Sequence, residues 1–397
     1  MANENLSNAK NAKKDEFYTQ YNVIEKEISA YLEYDHDIFR GKTVFLPCDD
    51  PEWSNFTKYF AQNFERYGLK KLISTSFAAD SNPYKGTYQP TLFEIKNPQF
   101  DQNKTKQNGK IFTLTHDRTG DQRVNVDDLE WHYLEGDGDF RSKEVKKLQD
   151  ESDIIITNPP FSLFRQFLAW IVKAGKQFVI IGNMNAITYK EVFPLIKENK
   201  AWLGPSISSG DREFRVPDDY PINAAGWRRD ENGRLFLRIK GVRWFTNLDH
   251  GRRHQPLPLM TMADNLKFSK HKEIRGKQSY DRYDNYDAIE VPFTDAIPSD
   301  YEGVMGVPIS FLDKYNPEQF EILGATQRGC HDEVPDLKKY DDYWEVTQNG
   351  EKTGSSGGKT NENANLLGND GKKNYFENID GRIIQSAYQR IFIRHRK

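Results

Sequence analysis

Cysteine is nearly absent: Cys48 and Cys330 are the only two among 397 residues. That excludes a disulfide framework and a zinc site built on thiolates alone, and it fits a reducing cytoplasm. Long apolar runs are missing as well. The most apolar stretches, such as Ile154-Ile155-Ile156 and Phe178-Val179-Ile180-Ile181, fall far short of the roughly 20 residues that span a bilayer, which excludes a membrane protein. The first ten residues carry no apolar core of the kind a secretory signal needs. Neither sign of charge is in excess, since 56 Lys+Arg against 59 Asp+Glu leave a net charge of −3. A nucleic-acid partner is still open, because binding one requires only a local basic face. Only 37% of the residues are hydrophobic, yet 7 Trp, 20 Tyr and 25 Phe supply the surface for a packed core. The length corresponds to about two to three domains.

The patterned segments alternate between strand and helix. Residues 42–46 read as a short buried strand, and Asp50-Pro51 then predicts a helix start, an N-cap followed by proline at the first position. Phe56, Tyr59, Phe60 and Phe64 fall on one helical face, with Gly68 as the stop. A strand at 71–75 follows. Further on, 153–157 reads as a strand, 162–174 as a helix with Leu163, Phe167, Trp170 and Ile171 on one side, and 177–181 as another strand. Apolar strands separated by helices predict an α/β fold, a doubly wound and mostly parallel sheet covered on both faces. Residues 97–110 read as a surface loop, 349–374 as a flexible Gly/Ser/Asn-rich insert, and 388–394 as a final strand.

The residues that carry chemistry are Asn158, Pro159, Pro160 and Phe161, directly after the strand 153–157 and before a helix. In α/β proteins, ligands bind at that end of the strands. The prolines remove two N–H groups, leaving the Pro159 carbonyl beside the Asn158 carboxamide as a pair of acceptors. Such a pair suits an exocyclic –NH2 on a planar ring, with Phe161 stacked on the ring face. An aromatic amine is a poor nucleophile because its lone pair is delocalised. Hydrogen bonds that favour pyramidal nitrogen would aim that pair at an incoming methyl group, and a sulfonium donor needs no acid to leave. The plainer reading, a proline turn that only joins strand to helix, stands beside this one.

Several separated segments resemble the EcoRI-type family of adenine-specific DNA methyltransferases. They are Asp15 to Gln20, Leu46 to Phe56, Gly138-Asp139-Phe140, the Asn-Pro-Pro-Phe box, Gly182 to Ala186, Arg243 to Asn247 and Gly306 to Ile309. The resemblance covers most of the chain. It implies a Rossmann-like catalytic domain using S-adenosylmethionine, and N6-methyladenine in double-stranded DNA as the product of a flipped base. Carried over residue by residue, Phe17, Tyr18 and Thr19 would line the methionine end of the donor, and Asp139 and Phe140 would bond and pack on its adenine ring. Pro47, Cys48, Asp49 and Asp50 occupy the first strand-to-helix turn, where the family's relatives usually have glycines. Carboxylates there could accept hydrogen bonds from the donor's ammonium group; alternatively Asp50 only caps the helix. The acid that commonly ends the second strand is replaced by Ser74-Thr75-Ser76-Phe77. Asp137-Gly138-Asp139 lacks the further carboxylates of a calcium loop, and His132, His250 and His254 have no zinc-ligand spacing, so no metal is expected.

Positive charge gathers in the second half. Residues 228–253 carry a net +5 and 267–282 a net +4, interleaved with aromatic residues. Such runs are either solvated faces or a surface that neutralises phosphates, and on the second reading Arg228, Arg229, Arg252 and Arg253 contact DNA. The resulting expectation is a catalytic domain over 1–250 and a target-recognition region over 251–397. It is a cytoplasmic monomer acting on double-stranded DNA, with a separately encoded restriction endonuclease as an admissible partner. Methylation of RNA or of protein glutamine, or a fold that binds DNA without catalysis, are the competing functions.

Overall fold

The computed structural model describes residues 18–47, 49–51, 54–78, 95, 98–208, 211–216, 226–326, 338–356, 360–361, 363–387 and 389–396. The chain divides into two compact units. One comprises the chain to Ala186 together with Ala201–Gly251, and the other comprises Ile187–Lys200 together with Arg252 onward.

In the first unit the helices are α1 (Tyr21–Tyr34), α2 (Asn55–Gln62), α3 (Phe64–Tyr67), α4 (Gln102–Gln107), α5 (Lys143–Glu151) and α6 (Phe164–Lys173). The strands of its main sheet are β1 (Thr43–Leu46), β2 (Lys71–Ser76), β3 (Lys110–Leu114), β4 (Glu130–Tyr133), β5 (Ile154–Thr157), β6 (Gln177–Asn183), β7 (Trp202–Leu203) and, later in the chain, β11 (Val242–Thr246). Their spatial order is β4-β3-β2-β1-β5-β6-β11-β7. β2, β1, β5 and β6 run parallel, and the flanking pairings are antiparallel, so the sheet is mixed around a parallel centre.

Both faces of that centre are covered, which is why its strands are short apolar runs rather than alternating ones. On one face Val44, Leu46, Ile154, Ile156, Val179, Ile181 and Trp244 form one cluster with Ile24, Ile28 and Tyr31 of α1 and Phe56, Tyr59 and Phe60 of α2. On the other face, α5 packs against β1 and α6 against β6. The Phe164 ring lies 5.0 Å from that of Phe245, and a Cβ on Gly182 would come within 2.4 Å of the Phe164 ring. The fold is the doubly wound α/β class expected from the sequence.

A second, three-stranded antiparallel sheet consists of β8 (Asp211–Arg215), β9 (Trp227–Arg229) and β10 (Leu235–Lys240), in the order β8-β10-β9. Phe214, Leu235 and Leu237 are buried in the main core, so by alternation Arg215, Arg228, Phe236 and Arg238 stand on the outer face.

The second unit contains α7 (Phe193–Lys197), α8 (Met262–Phe268) and two sheets. One sheet holds β12 (Ala288–Glu290), β13 (Val304–Pro308), β14 (Phe320–Ala325) and β20 (Arg390–His395). The other holds β15 (Trp344–Val346), β16 (Lys352–Ser356), β17 (Asn365–Leu367), β18 (Tyr375–Glu377) and β19 (Ile383–Ser386). The final strand expected at 388–394 is β20.

Three local expectations change. The helix does not begin at Asp50: the N-cap is Ser54, whose hydroxyl accepts from Phe56 N at 3.1 Å, while the Asp50 carbonyl accepts from Ser54 N. The 97–110 stretch contains α4, capped by Asp101, and ends at the start of β3. The insert 349–374 is not simply a loop, because β16 pairs with β15 and β17 pairs with β19. Its polar composition satisfies no core by itself, but neighbouring strands supply its backbone partners.

One close approach holds α1 to the sheet edge. Glu27 is fully buried and accepts from Tyr31 Oη at 2.6 Å and from Ser206 N at 2.9 Å. Only glycine fits at 204, where a Cβ would lie 1.9 Å from Glu27 Oε1. Burial and the adjacent carboxylate push the Tyr31 hydroxyl pKa well above its ordinary value. Replacing Glu27 with alanine strands a buried N–H and a buried hydroxyl. Urea denaturation of Glu27→Ala is expected to show a loss of about 2–3 kcal/mol.

Candidate active site

Strands β1 and β5 are adjacent and parallel, β2 lies on the far side of β1, and β6 lies on the far side of β5. The segments leaving β1 and β5 therefore diverge, and a crevice opens at their carboxyl ends. The two lips are the turn at 47–51 and the box Asn158–Phe161. Thr157 Oγ1 donates to the Pro47 carbonyl at 2.9 Å and ties the lips together at their base.

Tyr18, Thr19 and Gln20 run into this crevice. Tyr18 exchanges both backbone hydrogen bonds with Arg215 at 3.0 and 3.1 Å. Thr19 is buried; its carbonyl accepts from Asn55 Nδ2 at 2.7 Å, and its hydroxyl accepts from Asn158 Nδ2 at 3.2 Å. Thr19 thus joins the start of α2 to the Asn-Pro-Pro-Phe box. The bond to Thr19 commits the nitrogen end of the Asn158 amide, which defines Oδ1 as its accepting end. Pro159 is buried, and Phe161 is half-buried against the main core.

Asp49 is 6% exposed, and its Oδ1 accepts from Ser54 Oγ at 2.7 Å. Its carbonyl accepts from Thr57 Oγ1 at 2.9 Å and also from Ser74 Oγ. The polar end of β2 therefore locks the β1 turn, a role for Ser74 that the sequence did not suggest. Ser54 and Asn55, inside a segment that carries the family resemblance, are further site residues visible only in three dimensions. Asp50 is half-buried beside them.

Asp139 and Phe140 are engaged within the protein. Both Asp139 oxygens accept from Arg141, by its backbone N and Nε on Oδ1 and its Nη2 on Oδ2. Phe140 is 2% exposed, with Phe167 at 5.1 Å and Trp170 at 5.5 Å. It anchors its loop in the core instead of offering a ring face to a ligand. Gly138, at φ +91°, brings this loop so close to the end of β2 that a Cβ would lie 2.5 Å from the Ser76 carbonyl. Phe17 and Cys48 lie outside the described residues.

The arginines expected on DNA separate by environment. Arg228 is exposed but forks onto Glu213, with the Nη2–Oε2 contact at 2.8 Å, and covers the Phe236 ring at 4.7 Å. Arg229 is exposed, with Nη1 on the Gly233 carbonyl at 2.7 Å. Arg252 is half-buried. Arg253 contradicts the expectation: it is 6% exposed and donates to Asn199 Oδ1 within the second unit, because the 3₁₀ turn Gly251–His254 directs it inward. In the 267–282 stretch, Lys270, Lys277 and Arg282 are paired with Asp295, Asp281 and Asp287.

Residues 5–396 match the family described as adenine-specific methyltransferase EcoRI. The chain belongs to that family. It is 44% identical over 321 residues to the Type II methyltransferase M.EcoRI of Escherichia coli, covering 81% of this chain and 89% of the relative. It is 34% identical over 325 residues to the Type II methyltransferase M.MpnI of Mycoplasma pneumoniae, covering 80% and 84%. It is 35% identical over 320 residues to M.MgeORF184P of Mycoplasma genitalium, covering 80% and 85%. No solved structure matches. As a member of the EcoRI family the chain is an adenine-specific DNA methyltransferase, the enzyme class its segments imply. Among the described residues no helix is long and apolar enough to cross a membrane.

Two outcomes test this geometry. Thr19→Val, which keeps the shape but deletes the acceptor for Asn158 Nδ2, is expected to lower kcat by about tenfold, an interaction worth roughly 1.4 kcal/mol in the transition state. Circular dichroism should be unchanged. Arg141 holds the Asp139 carboxyl below its ordinary value. A depressed folded pKa adds stability above the ordinary carboxylate range, and the gain is lost as pH falls through the folded value. Arg141→Gln should therefore melt earlier than wild type at neutral pH, by about 0.5 kcal/mol given solvent screening. The difference should close on acidification below the ordinary carboxylate range.

Proposed function

We propose that this methyltransferase moves the methyl group of S-adenosylmethionine to N6 of an adenine flipped from duplex DNA, at a specific sequence. The observation that carries the reading is the hydrogen bond between Asn158 Nδ2 and Thr19 Oγ1 at the strand switch point. It brings the amine-binding box and the proposed donor segment to one place.

The donor set fits a cationic methyl donor at its amino-acid end. Asp49, a buried carboxylate at the end of β1, is held by Ser54 and suits an ammonium group. Thr19, Pro47 and Asp50 complete that side, whereas the Tyr18 side chain lies on the opposite face of its segment. When bound, S-adenosylmethionine supplies an electrophilic methyl on a sulfonium leaving group. At the nucleoside end the fit is different, since Asp139 is engaged by Arg141 and Phe140 is sealed in the core. Those two residues are assigned to shaping the loop.

The chain's own groups do the rest. Asn158 Oδ1 and the Pro159 carbonyl accept from the two N–H bonds of the adenine amine, which turns its lone pair out of the ring plane. Pro160 fixes the turn, and Phe161 stacks on the base. The amine nitrogen gains the methyl group and gives up one proton. Acceptors placed before the substrate arrives cost no reorganisation when charge develops on nitrogen. Recognition of the sequence is assigned to the second unit, and contact with phosphates to arginines that include the exposed Arg229 and the half-buried Arg252. On this reading the enzyme acts as a cytoplasmic monomer, with a separately encoded restriction endonuclease as an admissible partner.

Asn158→Ala is expected to lower kcat on duplex DNA by 100-fold or more while donor affinity in calorimetry and the melting temperature hold. Retention of a tenth of wild-type turnover would remove Asn158 from the mechanism. Offering RNA and glutamine-bearing peptides beside duplex DNA tests the substrate class, with methylation of DNA alone as the expected result.

A further inference from the structure

The extended segment 18–20 has two faces. Thr19 points to Asn158, whereas Tyr18 and Gln20 line a separate cavity of about 360 Å³ on the opposite side. The cavity is completed by Tyr21, Asn55, Lys58, Arg215, Arg234 and Phe236. Three cations and three aromatic rings therefore meet in a space at the small end of the roughly 300–1,000 Å³ that holds a ligand. None of its lining residues is acidic.

Register explains the arrangement. Tyr18 pairs with Arg215, Arg215 with Phe236 and Phe236 with Arg228, so four side chains form one row across the outer face of the small sheet. Within this row the cations differ. Arg228 is neutralised by Glu213, and Arg234 at the cavity rim is paired with Asp230 at 2.6 Å. Among the described residues, Arg215 has no carboxylate partner. A half-buried guanidinium flanked by tyrosine and phenylalanine is built for a planar or tetrahedral anion with a ring attached to it.

We propose that this cavity binds a backbone phosphate of the DNA close to the target adenine. Arg215 and Lys58 carry the charge contact, and Tyr18 and Phe236 take the adjoining sugar or base. The proposal rests on the DNA-methyltransferase reading and adds a residue set that composition concealed. Lys58 lies on α2, far in sequence from either basic stretch, and Arg215 precedes both. The shared strand 18–20 would couple the two faces: a strand seated on Arg215 abuts the segment that orients Asn158. Positively charged neighbours on the same outer face, Arg238 and Lys240, extend the path beyond the cavity.

The test is a salt titration of binding to a duplex carrying the methylated sequence, read by fluorescence anisotropy. Arg215→Gln should reduce the magnitude of the slope of log K against log salt by about 1, at roughly 0.9 per phosphate contact. It should raise KM for DNA about tenfold and leave S-adenosylmethionine affinity within twofold. Arg215→Lys should restore most of the slope. Lys58→Gln provides the same reading should Arg215→Gln fold poorly. Arg228→Gln serves as the control on the same face, because its charge is already paired. An unchanged slope in a folded Arg215→Gln or Lys58→Gln protein overturns the proposal, as does an equal loss in Arg228→Gln, which would mean a diffuse field. These results are separable from failure of the methyltransferase reading, which appears as a wild-type protein that binds the duplex but does not methylate it.

Discussion

Two parallel strands lying side by side, whose chains continue to opposite sides, leave a gap that neither continuation can fill. This constraint at the ends of β1 and β5 is the one on which the rest of the site depends. The gap is narrow because Thr157 bonds the Pro47 carbonyl. It is polar because the chain ends there leave carbonyls and short polar side chains instead of helix-packed apolar ones. The chain enters it a third time with Thr19, and that residue makes the two lips one structure.

The glycine-free turn after β1 follows from the same geometry. A glycine-rich turn brings backbone N–H groups to a ligand, whereas here Asp49 presents a carboxylate held by the Ser54 hydroxyl, while its backbone carbonyl is held by the Thr57 and Ser74 hydroxyls. Substituting a held acid for bare backbone puts hydrogen-bond acceptors where N–H donors would otherwise stand. The cost of burying the carboxylate is offset by the hydrogen bond it receives. Ser74, in the segment where an acid is common, is a partner that this turn requires.

Charge tells a similar story of placement over number. A net charge of −3 conceals a sheet face on which Arg215, Arg228, Arg238 and Lys240 all point outward. Local pairing then separates Arg228 and Arg238, both on Glu213, from Arg215, which has no carboxylate partner among the described residues. Along the linear sequence Arg252 and Arg253 look equivalent, yet Arg253 is turned into the second unit to meet Asn199.

The sequence by itself determined the class of the fold and the place of the Asn-Pro-Pro-Phe turn between strand and helix. Apolar runs such as 154–156, the helical face Phe56-Tyr59-Phe60 and the rigid Asn-Pro-Pro-Phe turn are short-range properties, expressed wherever such residues stand. The helix cap was misplaced by four residues because Asp50 and Ser54 are both good caps, and only the packed turn decides which hydroxyl or carboxylate meets a free N–H. Within the insert 349–374, Lys352–Ser356 and Asn365–Leu367 form strands because a backbone with polar side chains pairs when neighbouring strands are available. Tertiary structure alone decided that Thr19 and Asn158, 139 residues apart, share a hydrogen bond, and that Tyr18, Arg215 and Phe236 share a face. Contacts of that span are set by strand order and register, quantities that arise from closing the sheet as a whole and leave no periodic trace along the chain.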